Sequence, residues 1–331
     1  MIKIGFIGCG NISYRHLNHL KEIKDVKIVS AIEPDEENFK KFQESYGDKI
    51  KKYENEEEMI EKEKLDGVVI CSPHTFHFNQ IKIALENGCD VLVEKPAVVS
   101  YKESIEIRKI MEKTGKKIVV AYQRHYMPVF NEAKNIIKEK FGKVIFLSGF
   151  LSQYWLELFR TKDGKRAWRL LPEYSGKGQL TDSGSHFVAS IFFLTGLTPE
   201  KVASFLDFRG ERVDINSAFI VKFKEEAIGN FGILGYDPFW RENLLIWDEY
   251  NNLISVSLSE ESYVHFKGEK ERRKIEGIEI EVKNPSDDFV KCIKGERNPH
   301  TDWGIIEKVC LLSDMVYKSF FEERIVKNGE I

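Results

Sequence analysis

The chain contains 331 residues, of which 42% are hydrophobic and 31% are charged, and its formal net charge is −3. A chain of this length is longer than one hydrophobic core usually supports, so two domains are expected. The slightly acidic balance argues against nucleic acid as a partner.

Cysteine usage and hydropathy indicate the compartment. The chain has five cysteines and no Cys-x-x-Cys pair, which favours buried thiols in a reducing environment over a disulfide framework. Residues 2–7 follow a strand pattern instead of a signal-peptide pattern. Residues 184–199 lack Asp, Glu, Lys and Arg but are too few to span a bilayer. We therefore expect a cytoplasmic protein without a membrane segment.

The first predicted element is a strand that leads through a glycine turn into a helix. Gly8 and Gly10 permit a tight turn, which brings a pyrophosphate close to backbone N–H groups at a helix N-terminus. The helix dipole favours negative charge at that end. The pattern therefore predicts a dinucleotide site in which Gly8, Gly10, Asn11 and Ile12 contact the cofactor.

The second strand pattern, over residues 26–32, ends at Glu33. Glu33 follows Gly10 by roughly 20 residues, the spacing of the ribose-binding acid in dinucleotide folds. A carboxylate at this position accepts hydrogen bonds from the ribose hydroxyls and repels a 2′-phosphate, so NAD is expected in preference to NADP. The alternative is that Glu33 caps the helix that begins near Pro34 and Asp35, and both roles are compatible.

The third strand pattern, over residues 65–71, runs into Ser72 and Pro73. These two residues predict a sharp exit at the sheet edge where α/β proteins bind ligands. His74 and His77 follow at a spacing that also suits a metal, but no third ligand with suitable spacing is nearby. We expect no metal and interpret all four residues as contacts to the cofactor.

The fourth strand pattern is an apolar run over residues 91–93 that ends abruptly at Glu94, Lys95 and Pro96. When a strand of a parallel sheet ends at a charged pair, those charges lie at the carboxyl edge of the sheet, where α/β proteins bind ligands. Pro96 restricts the preceding residue to extended backbone, so Lys95 is held in one geometry. We predict a catalytic role for Lys95, with Glu94 and Lys95 beside the cofactor. The alternative is a solvated lysine at a strand end.

Strand and helix patterns alternate through residue 121, with further helices over residues 79–87 and 100–114 and a strand over residues 117–121. This alternation predicts an N-terminal α/β domain with a doubly wound parallel sheet, residues 1–121. From residue 143 the pattern changes to successive extended runs, which predict an antiparallel sheet in a second domain, residues 122–331. The runs cover residues 144–151, 202–208, 217–223, 227–234, 244–247 and 253–258.

Five short motifs follow one another in a characteristic order. They are Gly8-Cys9-Gly10-Asn11, Cys71-Ser72-Pro73-His74, Glu94-Lys95-Pro96, Gln123-Arg124-His125-Tyr126-Met127-Pro128 and Gly178-Gln179-Leu180-Thr181-Asp182-Ser183-Gly184-Ser185-His186. Together they resemble the glucose-fructose oxidoreductase and inositol dehydrogenase (Gfo/Idh/MocA) family over nearly the whole chain. The resemblance implies an NAD(P)-dependent dehydrogenase of sugars, cyclitols or sugar-acid derivatives. It also implies a Rossmann domain followed by an α/β domain with an open, mostly antiparallel sheet.

The resemblance also implies site residues. In such enzymes the lysine of the Glu-Lys-Pro motif, which is Lys95 in this sequence, contacts the reacting oxygen and the nicotinamide ribose. Asp182 and His186 complete the site. The chain departs from the family pattern at His74, at Lys177 and at Ala189, and these departures bear on the substrate more than on the chemistry.

A helix is predicted over residues 186–194, with Asp182 and His186 four residues apart at its start, so both side chains can lie on one face of the first turn. Oxidation of an alcohol requires that its proton leave as the hydride departs, and an imidazole accepts protons near neutral pH. His186 is therefore the candidate base. Asp182 could orient it or bind a neighbouring hydroxyl, and Lys95 could stabilise the alkoxide or relay the proton. The alternative for His186 is a capping or core histidine.

Residues 154–174 are rich in aromatic and basic side chains, among them Arg166, Trp168 and Arg169. Aromatic faces suit the C–H surfaces of sugars, and an arginine fork suits a carboxylate or phosphate. We assign Arg124, Trp168 and Arg169 to the substrate together with Asp182 and His186. The hypothesis includes sugars with an acid or nucleotide group, and the alternative is a dimer-contact loop.

Two other functions are compatible with this pattern. One is a regulator that binds the dinucleotide without turnover, and the other is a glycosidase that oxidises its substrate transiently and regenerates NAD. Members of the family commonly pair through the exposed face of the open sheet, so a homodimer or homotetramer is expected.

Overall fold

The computed structural model describes residues 1–47, 49–160 and 167–331. Within these residues the chain forms two compact units. The first comprises Met1–Val98, Lys102–Gln123 and Val282–Trp303, and the second comprises Val99–Tyr101, Arg124–Glu281 and Gly304–Ile331. These units differ from the predicted domains, residues 1–121 and 122–331, because residues 122–123 and 282–303 belong to the first unit and residues 99–101 to the second.

The strands and the α-helices are numbered separately, each in chain order. The strands are β1 (Ile2–Ile7), β2 (Val26–Ile32), β3 (Lys51–Tyr53), β4 (Gly67–Ile70), β5 (Asp90–Val93), β6 (Ile118–Val120), β7 (Val144–Ser152), β8 (Pro199–Asp207), β9 (Asn216–Phe223), β10 (Ile228–Leu234), β11 (Arg241–Asp248), β12 (Leu253–Ser257), β13 (Tyr263–His265), β14 (Arg273–Lys274) and β15 (Val326–Lys327). The α-helices are α1 (Ser13–Lys21), α2 (Glu36–Tyr46), α3 (Glu56–Glu63), α4 (His74–Glu86), α5 (Tyr101–Thr114), α6 (Pro128–Lys140), α7 (Trp155–Phe159), α8 (Pro172–Ser175), α9 (Gly184–Thr195), α10 (Pro285–Ile293) and α11 (Trp303–Phe321).

The first unit is built on a six-stranded sheet in the order β3-β2-β1-β4-β5-β6. Its neighbouring strands pair in parallel. β4 and β5 are buried along their whole length, which explains why they read as continuous apolar runs in the sequence. The predicted doubly wound parallel sheet is confirmed.

Residues 282–303 join the first unit because of the apolar face of α10. Phe289, Val290 and Cys292 are buried in one cluster with Phe6 of β1 and Leu17 of α1. Burial of these side chains ties α10 to the sheet, although it follows β5 by roughly 190 residues in the chain.

The predicted helix over residues 79–87 starts earlier in the structure. Pro73 is the N-cap, with an extended ψ of 149°, and α4 begins at His74. A proline fits the boundary between strand exit and helix because its φ suits both conformations. The consequence is that both His74 and His77 lie in the first turns of α4.

The second unit contains a nine-stranded sheet in the order β14-β13-β12-β11-β7-β10-β9-β8-β15. The pair β7 and β10 is parallel and the remaining pairs are antiparallel, which confirms the predicted open, mostly antiparallel sheet. The apolar helix α9 packs on one face, with the rings of Phe187 and Phe231 6.0 Å apart. Within the described residues, no helix is long and apolar enough to cross a membrane.

Candidate active site

Four turns meet at the carboxyl edge of the parallel sheet in the first unit, because backbone hydrogen bonds join adjacent strands just beyond their last residues. The N–H groups of Gly8, Cys71 and Glu94 donate to the carbonyl oxygens of Ile32, Ile7 and Ile70 at 2.8, 2.7 and 2.9 Å. The turns after β1, β2, β4 and β5 therefore lie side by side. Strand order reverses between β1 and β4, and such a switch point is where open α/β sheets bind ligands.

The glycine turn after β1 fits a dinucleotide phosphate. Gly8 has a φ of +88°, and a Cβ atom there would lie 2.8 Å from the backbone of Cys71 and Ser72. A Cβ atom on Gly10 would meet nothing within 4 Å, so this side of the turn faces open space. Ile12 is the N-cap of α1 and makes no side-chain capping bond. The first N–H groups of α1 thus lack a side-chain cap, as a helix that receives an anion requires.

Glu33 is held rigidly beside this turn. Its Oε2 accepts from the Cys9 N–H at 2.7 Å, and its Oε1 accepts from the Asp35 N–H at 3.0 Å. The cap of α2 is instead Asp35, which accepts from the Asn38 N–H at 2.9 Å. The alternative that Glu33 caps this helix is therefore wrong. Burial raises the pKa of the Cys9 thiol, and the negative charge of the nearby Glu33 adds to this effect, so the thiol stays neutral.

His77 does not lie where a cofactor could use its ring nitrogens. Nδ1 is 2.8 Å from the carbonyl oxygen of Pro96, Nε2 is 2.8 Å from that of Ser72, and the side chain is fully buried. Burial lowers the pKa of His77, although both carbonyls oppose this effect. The predicted polar contact between His77 and the cofactor is therefore corrected, because the first turn of α4 points this ring between two strand exits. His74, also buried, has its ring 5.9 Å from that of His77.

Glu94 and Lys95 follow β5, as predicted. Lys95 is half-buried, and its N–H donates to Glu94 Oε2 at 3.2 Å. Glu94 Oε1 lies 3.0 Å from Nε2 of His16, whose Nδ1 lies 3.0 Å from the Ser286 hydroxyl. Burial by itself would raise the pKa of Glu94, but the hydrogen bond and charge of His16, together with Lys95, hold it below its usual range.

The sequence pattern did not identify His16 or Ser286. A signal for His16 exists, since it lies on the buried stripe of α1 with Ser13, Leu17 and Leu20. A histidine on an otherwise apolar stripe predicts a buried polar partner. The identity of that partner is not encoded locally, because Glu94 and Ser286 are distant in the chain.

In the second unit, Asp182 is 2% exposed and its Oδ2 accepts from two donors. These are Trp155 Nε1 at 2.8 Å and Arg169 Nε at 3.2 Å. The Arg169 guanidinium lies over the rings of Trp168 and Phe159, at 4.2 and 4.7 Å from their centroids. Asp182 is thus surrounded by a cluster of aromatic and basic side chains, in agreement with the composition of residues 154–174. Arg166 lies outside the described residues.

His186 lies in the first turn of α9 and is half-buried. Its N–H donates to the Ser183 carbonyl oxygen at 3.2 Å. Asp182 precedes the helix, and its carbonyl oxygen accepts from the Ser185 hydroxyl at 2.7 Å. The expectation that both side chains lie on the first helical turn is corrected, because Gly184 begins the helix and leaves Asp182 in the preceding turn.

Arg124 is buried in an ion pair with Glu242 of β11. Burial raises the pKa of Glu242, and the Arg124 guanidinium opposes that effect. The pair joins the segment before α6 to the sheet of the second unit. The predicted contact between Arg124 and substrate stays a prediction.

A second acid in this unit, Asp214, holds the turn that carries Asp182. The N–H groups of Gly178 and Leu180 donate to its Oδ1 and Oδ2 at 2.8 and 2.9 Å, and the Tyr317 hydroxyl also donates to Oδ1. A Cβ atom on Gly178 would lie 2.1 Å from the Asp214 carbonyl oxygen, so only glycine fits. The sequence pattern did not identify Asp214, although an acid between the apolar residues at 213 and 215 is a signal for a buried carboxylate.

Asp214 has a testable pH signature. Burial raises its pKa from 3.8 to about 6, against the opposing hydrogen bonds. Because the folded protein then holds this proton more tightly than the unfolded chain, the contribution of Asp214 to the free energy of unfolding declines as pH rises from about 4 to 6. The difference between the two pKa values corresponds to a decline of about 3 kcal/mol in this contribution to the free energy of unfolding.

We therefore expect the stability of the wild type relative to Asp214→Asn to be greatest near pH 4 and to shrink toward pH 7. Urea unfolding of both proteins across this range measures the difference, and other carboxylates cancel in the comparison. Asp207→Asn is the matched control, because Asp207 is exposed on β8. A difference between wild type and Asp214→Asn that grew with pH would contradict the assignment.

Two family models match the chain. The model for an oxidoreductase family with an NAD-binding Rossmann fold, GFO_IDH_MocA, matches residues 2–122, and the GFO/IDH/MocA C-terminal domain matches residues 130–240. The first match covers all six strands of the parallel sheet, and the second covers β7 to β10 of the nine-stranded sheet.

Three known proteins illustrate the similarity. D-xylose 1-dehydrogenase (NADP(+)) 2 of Haloferax volcanii is 26% identical over 53% of this chain and 52% of its own length. The scyllo-inositol 2-dehydrogenase (NAD(+)) of Bacillus subtilis is 34% identical over 28% of each chain. The crystal structure of an oxidoreductase domain protein from Kribbella flavida has a TM-score of 0.86 at 18% identity and covers 98% of both chains. The matches to the two curated relatives span about half of their length or less, and the structural match establishes the fold.

Proposed function

This chain belongs to the Gfo/Idh/MocA family of oxidoreductases, and from that premise we propose that it is an NAD(P)-dependent dehydrogenase that oxidises a hydroxyl of a sugar or cyclitol. One observation carries the proposal most strongly. The uncapped glycine turn, Glu33 and Lys95 follow β1, β2 and β5, whose carboxyl ends lie along one edge of the doubly wound sheet on either side of the switch point between β1 and β4. The curated relatives whose printed names are sugar and inositol dehydrogenases support the substrate class.

The proposed chemistry divides among few side chains. When bound, NAD(P) supplies the hydride acceptor. Lys95 stabilises negative charge on the oxygen of the alcohol as its proton leaves, and His186 accepts that proton. Asp182 does not act as a base in this proposal, since its Oδ2 is already bonded to Trp155 and Arg169.

The pairing of Arg169 with Asp182 bears on the substrate. The charge of Arg169 is balanced by a carboxylate 3.2 Å away, and its guanidinium is stacked on two aromatic rings. A dianionic substrate group would compete with Asp182 for this cation. We therefore propose a neutral polyhydroxylated ring, whose hydroxyls match the polar edge of this cluster and whose C–H face matches the half-buried ring of Trp168.

The experiment is an assay for reduced nicotinamide, by its ultraviolet absorbance, with NAD or NADP and a panel of substrates. The panel contains inositols and neutral aldoses in one arm and uronic acids and nucleotide sugars in the other. Stoichiometric NADH from the neutral arm is the expected result. Binding of NAD without net reduction across the panel would favour the regulator or the redox-neutral glycosidase and reject the dehydrogenase.

NAD is proposed as the preferred cofactor because of Glu33. The carboxylate is fixed by two backbone N–H groups and cannot easily turn away from a 2′-phosphate. Glu33→Gln removes the charge and keeps an acceptor oxygen, so we expect the ratio of kcat/KM for NAD over NADP to fall about tenfold, which is about 1.4 kcal/mol of differential binding. Glu36→Gln, in the exposed first turn of α2, is the matched control. An unchanged ratio in Glu33→Gln would remove the basis for the NAD preference.

We also propose a homodimer or homotetramer through the outer face of the nine-stranded sheet. Alternate residues of three neighbouring strands present apolar side chains to solvent, in contrast to the polar outer face usual for a monomer. Exposure is 79% for Phe205, 55% for Ile220 and 44% for Ile228. These residues lie on β8, β9 and β10, which are adjacent in the sheet.

Ile220→Glu places a charge on this face. Because Ile220 is exposed in the single chain, the variant is expected to keep its folded stability and to weaken self-association by at least tenfold. Light scattering coupled to size-exclusion chromatography measures the mass of each species. Ile325→Glu, at a position 59% exposed outside the sheet strands, is the control. A wild type that is monomeric at high concentration would refute the proposal.

A further inference from the structure

The residues on either side of Lys95 are each held by a buried histidine. Glu94 is bonded to His16 of α1, and Pro96 is bonded to His77 of α4. His16 is 2% exposed and His77 is fully buried. Two helices that are separate in the chain therefore reach the same short segment, one from each side.

The contact from α1 fixes the side chain of Glu94 and through it the backbone of Lys95. His16 Nε2 lies 3.0 Å from Glu94 Oε1, while Glu94 Oε2 accepts from the Lys95 N–H at 3.2 Å. On the far side of the ring, Ser286 lies 3.0 Å from Nδ1. A hydroxyl that donates to Nδ1 leaves the proton on Nε2, which then donates to the carboxylate. The serine hydroxyl can donate to Nδ1 of the neutral ring or accept from Nδ1 of the charged ring, and in both cases Nε2 carries the proton that Glu94 accepts.

The contact from α4 fixes the carbonyl oxygen of Pro96. His77 Nδ1 lies 2.8 Å from this oxygen, and Nε2 lies 2.8 Å from the carbonyl oxygen of Ser72. Proline has no N–H of its own, so its carbonyl is the backbone group through which this position can be held by a hydrogen bond. A neutral imidazole has one N–H, and with the proton on Nδ1 the ring of His77 donates to the Pro96 carbonyl oxygen at the exit of β5.

We propose that His16 and His77 are positioning residues that fix Lys95 for the reaction, an inference that rests on the proposed dehydrogenase function. Neither ring reaches the reacting atoms, since both are buried and each ring nitrogen lies 2.8 to 3.0 Å from a protein oxygen. Their effect passes through the neighbours of Lys95. Lysine has a long flexible side chain, so the location of its ammonium group depends on how firmly its backbone is held. A misplacement of about 1 Å at a reacting group costs about 10²-fold in rate.

The competing interpretation is that both histidines merely fill space in the core. Variants with an amide side chain distinguish the positioning role from space filling. Asparagine places an N–H donor near the position of histidine Nδ1, and glutamine places one near the position of Nε2. The contact that matters is made by Nε2 in His16 and by Nδ1 in His77. Positioning therefore predicts opposite rescue patterns at the two sites, whereas space filling predicts the same ranking by size at both.

The experiment measures kcat and KM separately for four variants of the full chain. His16→Asn and His77→Gln are expected to lose about 10²-fold in kcat, while KM and the affinity for NAD change no more than a few-fold. His16→Gln and His77→Asn are expected to retain kcat within about tenfold of wild type. His19→Asn and His19→Gln, on the half-buried side of α1, are matched controls with wild-type kcat. The same ranking of Asn and Gln at positions 16 and 77 would overturn the proposal.

Amide hydrogen exchange supplies a readout that does not need turnover. In His16→Asn and His77→Gln, peptides that contain residues 94–98 are expected to exchange faster than in wild type, while peptides from β1 and β2 are unchanged. If the wild type reduces no NAD with any substrate, the dehydrogenase proposal fails, and faster exchange would still support the positioning of Lys95. Unchanged exchange at residues 94–98 in both variants would reject the positioning role, whatever the activity.

Discussion

Lys95→Ala is expected to lower kcat by about 10²- to 10³-fold and to leave the affinity for NAD within a few-fold of wild type. The reason is that the lysine ammonium stabilises charge that develops on the oxygen only as the reaction proceeds, so its loss affects the transition state more than the bound ground state. Lys95 is half-buried at the end of β5, and its backbone is held by Glu94. Steady-state kinetics and calorimetric titration with NAD measure the two quantities.

Lys82→Ala is the matched control for this prediction. Lys82 lies on α4 in the same unit, where it pairs with Glu106 at 3.6 Å on the surface. Its replacement is expected to leave both kcat and the affinity for NAD unchanged. Wild-type turnover in Lys95→Ala would disprove a catalytic role for the lysine, and a large loss of NAD affinity would assign it to cofactor binding instead.

His186→Asn is expected to lower kcat by about 10²- to 10⁴-fold, the usual contribution of a general base. The sign of the pH dependence follows from the role. A base must be neutral to accept the proton, so wild-type kcat falls as pH decreases, and this acidic limb is expected to disappear in His186→Asn. The half-buried side chain lies in the first turn of α9, so the folded stability is expected to change little.

The pH profile of kcat distinguishes a base from a residue that merely supports the helix. His265→Asn is the control, because His265 is a half-buried histidine on β13 in the same unit. It is expected to keep both the rate and the acidic limb. If the slow reaction of His186→Asn retained the wild-type acidic limb, the proton would be accepted elsewhere.

The strand ends of the first sheet were predictable because their signals are local. A glycine turn after an apolar run, a proline after a strand and a charged pair at a strand end each depend on a few adjacent residues. β1 and β2 match the predicted strands residue for residue, and β5 ends at Val93, directly before Glu94, as predicted. The central strands of the second sheet were predicted to within a few residues for the same reason, whereas the short strands β13, β14 and β15 carry too few residues to show a pattern.

Bond partners were less predictable than positions. The sequence pattern located Glu33 after β2, but it could not decide between a free ribose-binding acid and a helix cap. The structure rules out the helix cap, since Asp35 caps α2 and the oxygens of Glu33 bind the N–H groups of Cys9 and Asp35, and the ribose contact stays a prediction. His77 is the opposite case, because its position was right and its partner wrong. Its spacing from His74 suggested a ligand-facing ring, whereas the turn of α4 directs it to two carbonyl oxygens.

By itself, the sequence determined the fold class, the family and the strand ends after which Glu33 and Lys95 lie. These properties follow from hydrophobic periodicity and from backbone restrictions at glycine and proline, which act over short stretches of chain. Only the tertiary structure decided which buried polar groups satisfy one another. His16 meets Glu94 across 78 residues and Ser286 across 270. A buried polar atom must find a partner wherever packing brings one within reach, and packing is a property of the whole fold.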